Sequence, residues 1–306
     1  MPIFKIEDKK LISIKEIIID LEKDLQKLTE NNLEAVFGYK FISSEFSLHN
    51  FRIDTLAFDE ETKSFVIIEY KKDRSFSVID QGFSYLSLML NNKADFILEY
   101  NERTNKNLKK DNIDWTQSRI LFLANSFTSY QQNAISFRDL PIELWEIKKY
   151  DNNTILYNQL RTAESNESIK TISKNKNIEQ VSREVKKYTL ADHLREDWEE
   201  SGYLYELISE KILALDSRIE EKFNKFYIGF KIKTRLLCAI HIQKSKLRLD
   251  IVGVDKEGLK DPEDKVIKVR WEENNWGKQC SYLIGNKNDV DYAMFLIKQV
   301  CEKLYK

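Results

Sequence analysis

Two carboxylates and an ammonium are spaced for chemistry in the run FRIDTLAFDEETKSFVIIEYKK, Phe51 to Lys72. Phe51 to Phe58 is rich in aromatic and β-branched residues, Asp59 to Ser64 is polar, and Phe65 to Lys71 resumes the β pattern, which is the signature of a hairpin. If Phe58 pairs with Phe65 across the loop, counting outward sets Asp54 opposite Glu69. The Cβ atoms of such partners lie about 4.5 to 5.5 Å apart, and like charges there destabilise a sheet unless something compensates. Side chains alternate along a strand, so Glu69 and Lys71 share one face while Val66, Ile68 and Tyr70 take the other. A few hard oxygen ligands with room left for water suit Mg2+, or Mn2+ in its place, bound jointly by protein and phosphate. One slipped residue would separate the acids, and the same spacing also describes a surface hairpin with solvated charges. Glu-x-Lys has no weight by itself. It occurs in seven places, and only Glu69 has an acid correctly spaced on a separate, preceding strand.

The elements around this hairpin supply further groups. Ile14, Ile18, Leu21, Leu25 and Leu28 recur at helical spacing and predict an amphipathic helix with Glu22 at the margin of its apolar stripe. Glu22 there can reach the hairpin carboxylates or stay in water, and Glu34 in NNLEAVFG competes for the same role. Lys71, Lys72 and Arg74 form a basic cluster suited to phosphate contacts, or an ordinary charged loop.

Taken together, RIDTLAFD, VIIEYKK and DQGFSYL are similar to the core of the PD-(D/E)XK nuclease superfamily in its RecB-like and NucS-type branches. The similarity includes a Gln-x-x-x-Tyr signature at Gln81 and Tyr85, whose spacing puts both on one helix face. EKDLQKLTENNLE resembles the NucS-type lead-in helix, with Glu22 at its acidic position. Ile53 stands where the literal motif has Pro. The resemblance covers about Leu21 to Leu90 and extends toward Tyr150. It implies a restriction-endonuclease-like α/β fold, a mixed sheet flanked by helices, and a metal-dependent DNA endonuclease serving restriction, phage defence or DNA repair. Asp54, Glu69 and Lys71 would be catalytic, with Gln81 and Tyr85 ordering the site. Asp54, Glu69 and Glu22 would hold the metal, and Lys72 and Arg74 the nucleic acid. A non-catalytic binding module on the same fold is the alternative.

Along the chain, strands are expected at Tyr39 to Leu48, Asp95 to Tyr100, Arg119 to Ala124 and Ile142 to Ile147, with helices at Val78 to Asn91 and near Ser129 to Phe137. That alternation makes residues 1–160 an α/β domain. Residues 161–188 are poor in large apolar side chains and read as a linker. Residues 189–306 are expected to form an α+β accessory domain, similar to a domain of unknown function found after nuclease-like domains. Its Lys231, Lys233, Arg235, Lys244, Lys246 and Arg248 suggest either a nucleic-acid surface or solvated strand edges. One site per chain and the aromatics Tyr203, Tyr205, Trp271 and Trp276 suggest a homodimer.

The 306 residues carry 49 basic and 50 acidic side chains, so any nucleic-acid binding must be local. Three scattered cysteines and a charged start fit a cytoplasmic chain, and no apolar run reaches membrane-spanning length. His49, His193 and His241 are not paired at metal-ligand spacing, which argues against a zinc hydrolase. There is no phosphate loop of the GK(S/T) kind and little glycine for a dinucleotide fingerprint, so no nucleotide cofactor is expected.

Overall fold

The computed structural model describes residues 2–17, 19, 22–71, 77–135, 140–161, 176–269 and 277–304. They fall into two units, Met1–Lys187 and Tyr188–Lys306.

The first unit opens with two strands, β1 (Ile3–Glu7) and β2 (Lys10–Ile14), which form a hairpin of their own. Here the sequence reading is corrected: of the run from Ile14 to Leu28 expected to be helical, Ile14 ends β2, Glu16–Ile17 is a strand, and the helix begins at Glu22. IFKIE and KLISI are rich in β-branched Ile, and Asp8 and Lys9 take the positive φ that the turn requires. Then come β3 (Glu16–Ile17), α1 (Glu22–Glu30), α2 (Leu33–Phe37), β4 (Lys40–Leu48), β5 (Phe51–Asp59) and β6 (Ser64–Lys71). The unit continues with α3 (Val78–Asn91), α4 (Lys93–Thr104), β7 (Arg119–Ala124), α5 (Ser129–Ala134), β8 (Ile142–Tyr150), β9 (Ile155–Gln159) and α6 (Lys176–Glu184).

Seven strands form one mixed sheet in the order β3-β8-β7-β6-β5-β4, with β9 also on β8. β6, β7 and β8 are parallel, and β4, β5 and β6 form an antiparallel meander. Central strands read as unbroken apolar runs because both faces are covered. On one face Phe58, Phe65, Ile67, Ile120, Phe122 and Leu144 pack with Phe83, Leu86 and Met89 of α3 and Phe96 and Tyr100 of α4. On the other, Ala57, Val66, Ile68, Leu121 and Leu123 meet Leu25 of α1 and Leu33 of α2. This is the mixed sheet flanked by helices that was expected.

Two elements differ from expectation. Asp95 to Tyr100, read as a strand, lies within α4, where Phe96 and Tyr100 are one helical turn apart and turn inward together. The second half of the expected linker is α6, whose Ile178 and Val181, followed by Val185, are buried in the same core as α3. Three apolar residues at spacings of three and four make the inward stripe that seats it. Its polar side is tied down too: Lys93 Nζ lies 2.6 Å from Glu184 Oε2, and Gln180 Nε2 donates to Asn91 Oδ1 at 2.6 Å.

The second unit is α+β, as expected. It contains α7 (Glu199–Leu213), β10 (Ile219–Phe223), β11 (Ile228–Ile232), β12 (Arg235–Gln243), β13 (Lys246–Val252), β14 (Ile267–Lys268), β15 (Gln279–Ile284) and α8 (Lys287–Leu304). Its antiparallel sheet, ordered β10-β11-β12-β13-β15-β14, shares one apolar core with α7 and α8. Tyr205, expected at an interface, belongs to that core, whereas Tyr203 is exposed. Trp271 and Trp276 lie outside the described residues. No helix among the described residues is long and apolar enough to cross a membrane.

Candidate active site

β5 and β6 pair with Phe58 opposite Phe65, and the regular ladder runs from Asp59–Ser64 to Thr55–Ile68. The next step in register is Asp54 and Glu69, and there side chains replace backbone as hydrogen-bond partners. The Asp54 N–H donates to Glu69 Oε1 at 3.2 Å, and the Tyr70 N–H donates to Asp54 Oδ2 at 3.0 Å. Lys71 Nζ donates to Glu69 Oε2 at 3.4 Å. Both acids and the lysine thus meet where the two strands part, while Val66, Ile68 and Tyr70 pack into the opposite layer.

Burial sets the electrostatics. Glu69 is 1% exposed. Loss of water and then the neighbouring Asp54 charge push its carboxyl up to about 8, against the pull of Lys71 and the Asp54 N–H. Asp54 is also raised, first by burial, with Glu45 adding to it and the Tyr70 N–H, Lys71 and Arg52 opposing. One lysine does not balance two acids here.

Helix α3 closes one side. Ser77 caps it by accepting from the Asp80 N–H, and Gly82 lets it approach closely, since a Cβ there would stand 2.6 Å from Ile142 Cδ1. Tyr85 Oη donates to the Arg52 carbonyl at 3.0 Å, pinning α3 to β5. Burial and then the Glu69 carboxylate raise the Tyr85 hydroxyl, while a hydrogen bond with the Gln81 side chain lowers it, so Tyr85 lies beside the acid cluster and Gln81 beside Tyr85.

Glu22 occupies the exposed first turn of α1. One turn on, Gln26 Nε2 donates to the Asp54 carbonyl at 2.8 Å, and a turn later Glu30 Oε1 accepts from Thr55 Oγ1 at 2.6 Å. Sequence reading missed Gln26 and Glu30, although the i, i+4, i+8 spacing from Glu22 carries the signal. Among the described residues no group of three or more His, Cys, Asp or Glu side chains is arranged to hold a metal ion. Asp54 and Glu69 stand there as a pair of carboxylates. Glu34 is exposed on α2, and Lys72 and Arg74 lie outside the described residues.

At the opposite, hairpin-loop end of β5 lies a second charged group unforeseen from sequence. Arg119 Nη2 is 2.6 Å from Asp59 Oδ2 and 2.7 Å from Tyr39 Oη, with Glu143 Oε1 at 3.4 Å from its Nε. These residues join the start of β7 and β8 to the end of β5.

In the second unit, Asp250 Oδ2 lies 2.9 Å from His241 Nε2 and 3.2 Å from Arg248 Nη2, and its other oxygen accepts from Ser281. Burial would raise this carboxyl, but the His241 and Ser281 bonds and the Arg248 charge bring it below its ordinary value. A nucleophilic triad places His between Ser and the acid. Here the acid is central, so the trio pins neighbouring strands.

Residues 190–298 match a family model described as a domain of unknown function, DUF5655. A Haemophilus influenzae protein, described as an uncharacterized protein, is 43% identical over 301 residues, which is 98% of this chain and 99% of that protein. The chain belongs to that protein's family. Among solved structures, an EndoMS complex with double-stranded DNA aligns at 18% identity and a TM-score of 0.28, covering 43% of this chain and 45% of the other. A repair endonuclease from Pyrococcus abyssi aligns at 17% identity and a TM-score of 0.23, covering 40% and 45%. The chain spans less than half of either, and such low scores carry no argument about function.

Proposed function

We propose that the first unit is a divalent-metal-dependent nuclease hydrolysing phosphodiester bonds in DNA. The observation that carries this reading is the convergence of Asp54, Glu69 and Lys71 at the parting of β5 and β6. The donor set fits a hard divalent cation: two carboxylates, both pushed toward protonation, leave a deficit of positive charge that Mg2+ or Mn2+ would fill. Asp54 and Glu69 would hold it, with water and phosphate oxygens completing its shell. The ion would polarise a phosphoryl oxygen. Lys71 places an ammonium beside the acids, where it would stabilise charge developing on the phosphoryl group or orient the attacking water. Gln81 and Tyr85, fixed by α3, would order the lysine, the water or the DNA backbone.

The test uses purified full-length protein, Mg2+ or Mn2+ against EDTA, and a panel of duplex, branched, mismatched, modified and single-stranded DNA, with RNA included. Cleavage is expected with metal, and Glu69→Ala should reduce it by about a hundredfold or more, the scale of losing one electrostatic group in an active site. Full activity in that variant would sink the assignment. The modified and mismatched arms separate a role in restriction or phage defence from one in repair. A binding-only module is the second reading, favoured by the lack of a third acid at the pair among the described residues. It predicts DNA binding without cleavage under any divalent ion, and an Asp54→Asn affinity equal to or above that of the parent.

A further inference from the structure

Asp54 is held from outside its own hairpin. Partners in an antiparallel ladder exchange backbone bonds, but the ladder of β5 with β6 ends beside Asp54, at Thr55–Ile68, and bonds involving side chains replace it there. The Asp54 N–H donates to Glu69 Oε1, the Tyr70 N–H donates to Asp54 Oδ2, and the Asp54 carbonyl accepts from Gln26 Nε2 at 2.8 Å. Two of these three bonds run within the hairpin. The third comes from α1, whose Leu25 packs on the other face of the sheet from α3, so it ties Asp54 to a separate element. Gln26 is itself built into place. It is 7% exposed, and its amide nitrogen also lies 3.0 Å from Glu30 Oε1 and 3.0 Å from Ser44 Oγ. A carbonyl oxygen only accepts, so the NH2 group, not the amide oxygen, must face Asp54. Glu30, one turn further along α1, is fixed in turn by Thr55 Oγ1, which donates to its Oε1 at 2.6 Å. One face of α1 thus grips β5 at two consecutive residues.

We infer that Gln26 is a positioning residue: its bond to the Asp54 carbonyl fixes the backbone where β5 and β6 part, and so aims the Asp54 carboxylate at the cation that Asp54 and Glu69 would share. The cation rests on the nuclease reading, whereas the hold on Asp54 stands without it. Gln26 touches neither the cation nor the substrate. It acts through Asp54, whose Oδ2 is engaged by the Tyr70 N–H and whose Oδ1 is left for a ligand. Without the Gln26 donor the Asp54 backbone can shift toward another partner, and the carboxylate then leaves the Tyr70 N–H. Metal ligands depend on outer bonds of this kind, and losing one costs about 10- to 100-fold in metal affinity or activity.

Gln26→Met in the full-length protein keeps the bulk of the side chain and removes the donor. Ser44→Ala is the comparison, because it removes the other acceptor on β4 and leaves the bond to Asp54. Amide hydrogen exchange in EDTA reads the position of Asp54 with no cleavage required. In Gln26→Met the Tyr70 amide should exchange about five- to tenfold faster, the scale of one hydrogen bond, while the Ile67 amide inside the ladder keeps its protection and shows the fold intact. Ser44→Ala should leave both amides unchanged. Titration with Mn2+ should then show the dissociation constant of Gln26→Met raised about tenfold, and cleavage should show kcat lowered with KM for DNA unchanged. A Tyr70 amide as protected in Gln26→Met as in the parent overturns the inference, and so does an equal loss in Ser44→Ala. A freed Tyr70 amide with unchanged Mn2+ affinity overturns the aim at the cation. A parent protein that neither binds Mn2+ nor cuts DNA removes the nuclease reading instead, and the Tyr70 amide still decides whether Gln26 positions Asp54.

Discussion

At the scale of single residues, Glu69 is the group whose environment most constrains the chemistry. Its folded-state pKa of about 8 lies above the 4.5 of an exposed glutamate. The proton is therefore held more tightly in the folded state, so the associated stability is fully present below about 4.5 and is lost as pH rises through 8. Glu69→Gln cannot ionise. In metal-free protein its melting temperature should match the parent near pH 5 and exceed it progressively toward pH 9. A thermal-shift series in EDTA reads this directly, and a gap that does not vary with pH would remove burial as the controlling effect. With a divalent ion present the parent should recover the difference at high pH, because the cation favours the carboxylate.

At the scale of elements, the site depends on α3, and α3 depends on α6. Val181 is fully buried against the core that contains α3. Val181→Asp would bury an unpaired carboxylate, a change expected to cost about 3 kcal/mol or more and to weaken α3 docking. Urea unfolding followed by circular dichroism should show the lowered midpoint, and cleavage should fall with it. A neutral outcome would mean that the segment is a linker after all.

At the scale of the whole molecule, each unit has a core of its own and is expected to unfold with its own midpoint. The Arg119–Asp59 pair and the cysteines allow a test. Asp59→Ala removes the shorter of two ion pairs from a buried guanidinium in the first unit, leaving it Glu143 and Tyr39, and should cost roughly 3 kcal/mol there. Cys238, Cys280 and Cys301 are all buried in the second unit, and burial pushes the Cys280 thiol up to about 12, so all three stay unreactive until that unit opens. In Asp59→Ala the midpoint for the first unit should drop while that for thiol exposure stays put. A joint shift would show the units to be thermodynamically coupled.

What the sequence determined by itself was whatever short-range pattern controls. The central hairpin and its register were legible because alternation, a polar loop and the Phe58–Phe65 pair act within twenty residues. Helix α3 was legible for the same reason, through a stripe with a period of 3.6. Tertiary structure alone decided the rest. It ended the backbone ladder at Thr55–Ile68 and turned two carboxylates into strand caps. It brought Gln26 and Glu30 to the hairpin and left Glu22 exposed, since which face of α1 turns inward depends on packing against β5 and β6. It also gathered Tyr39, Asp59, Arg119 and Glu143 from distant parts of the chain. Local periodicity fixes which residues share a face of an element. Only the packed core decides what that face meets, and so how far a buried charge is displaced from its ordinary pKa.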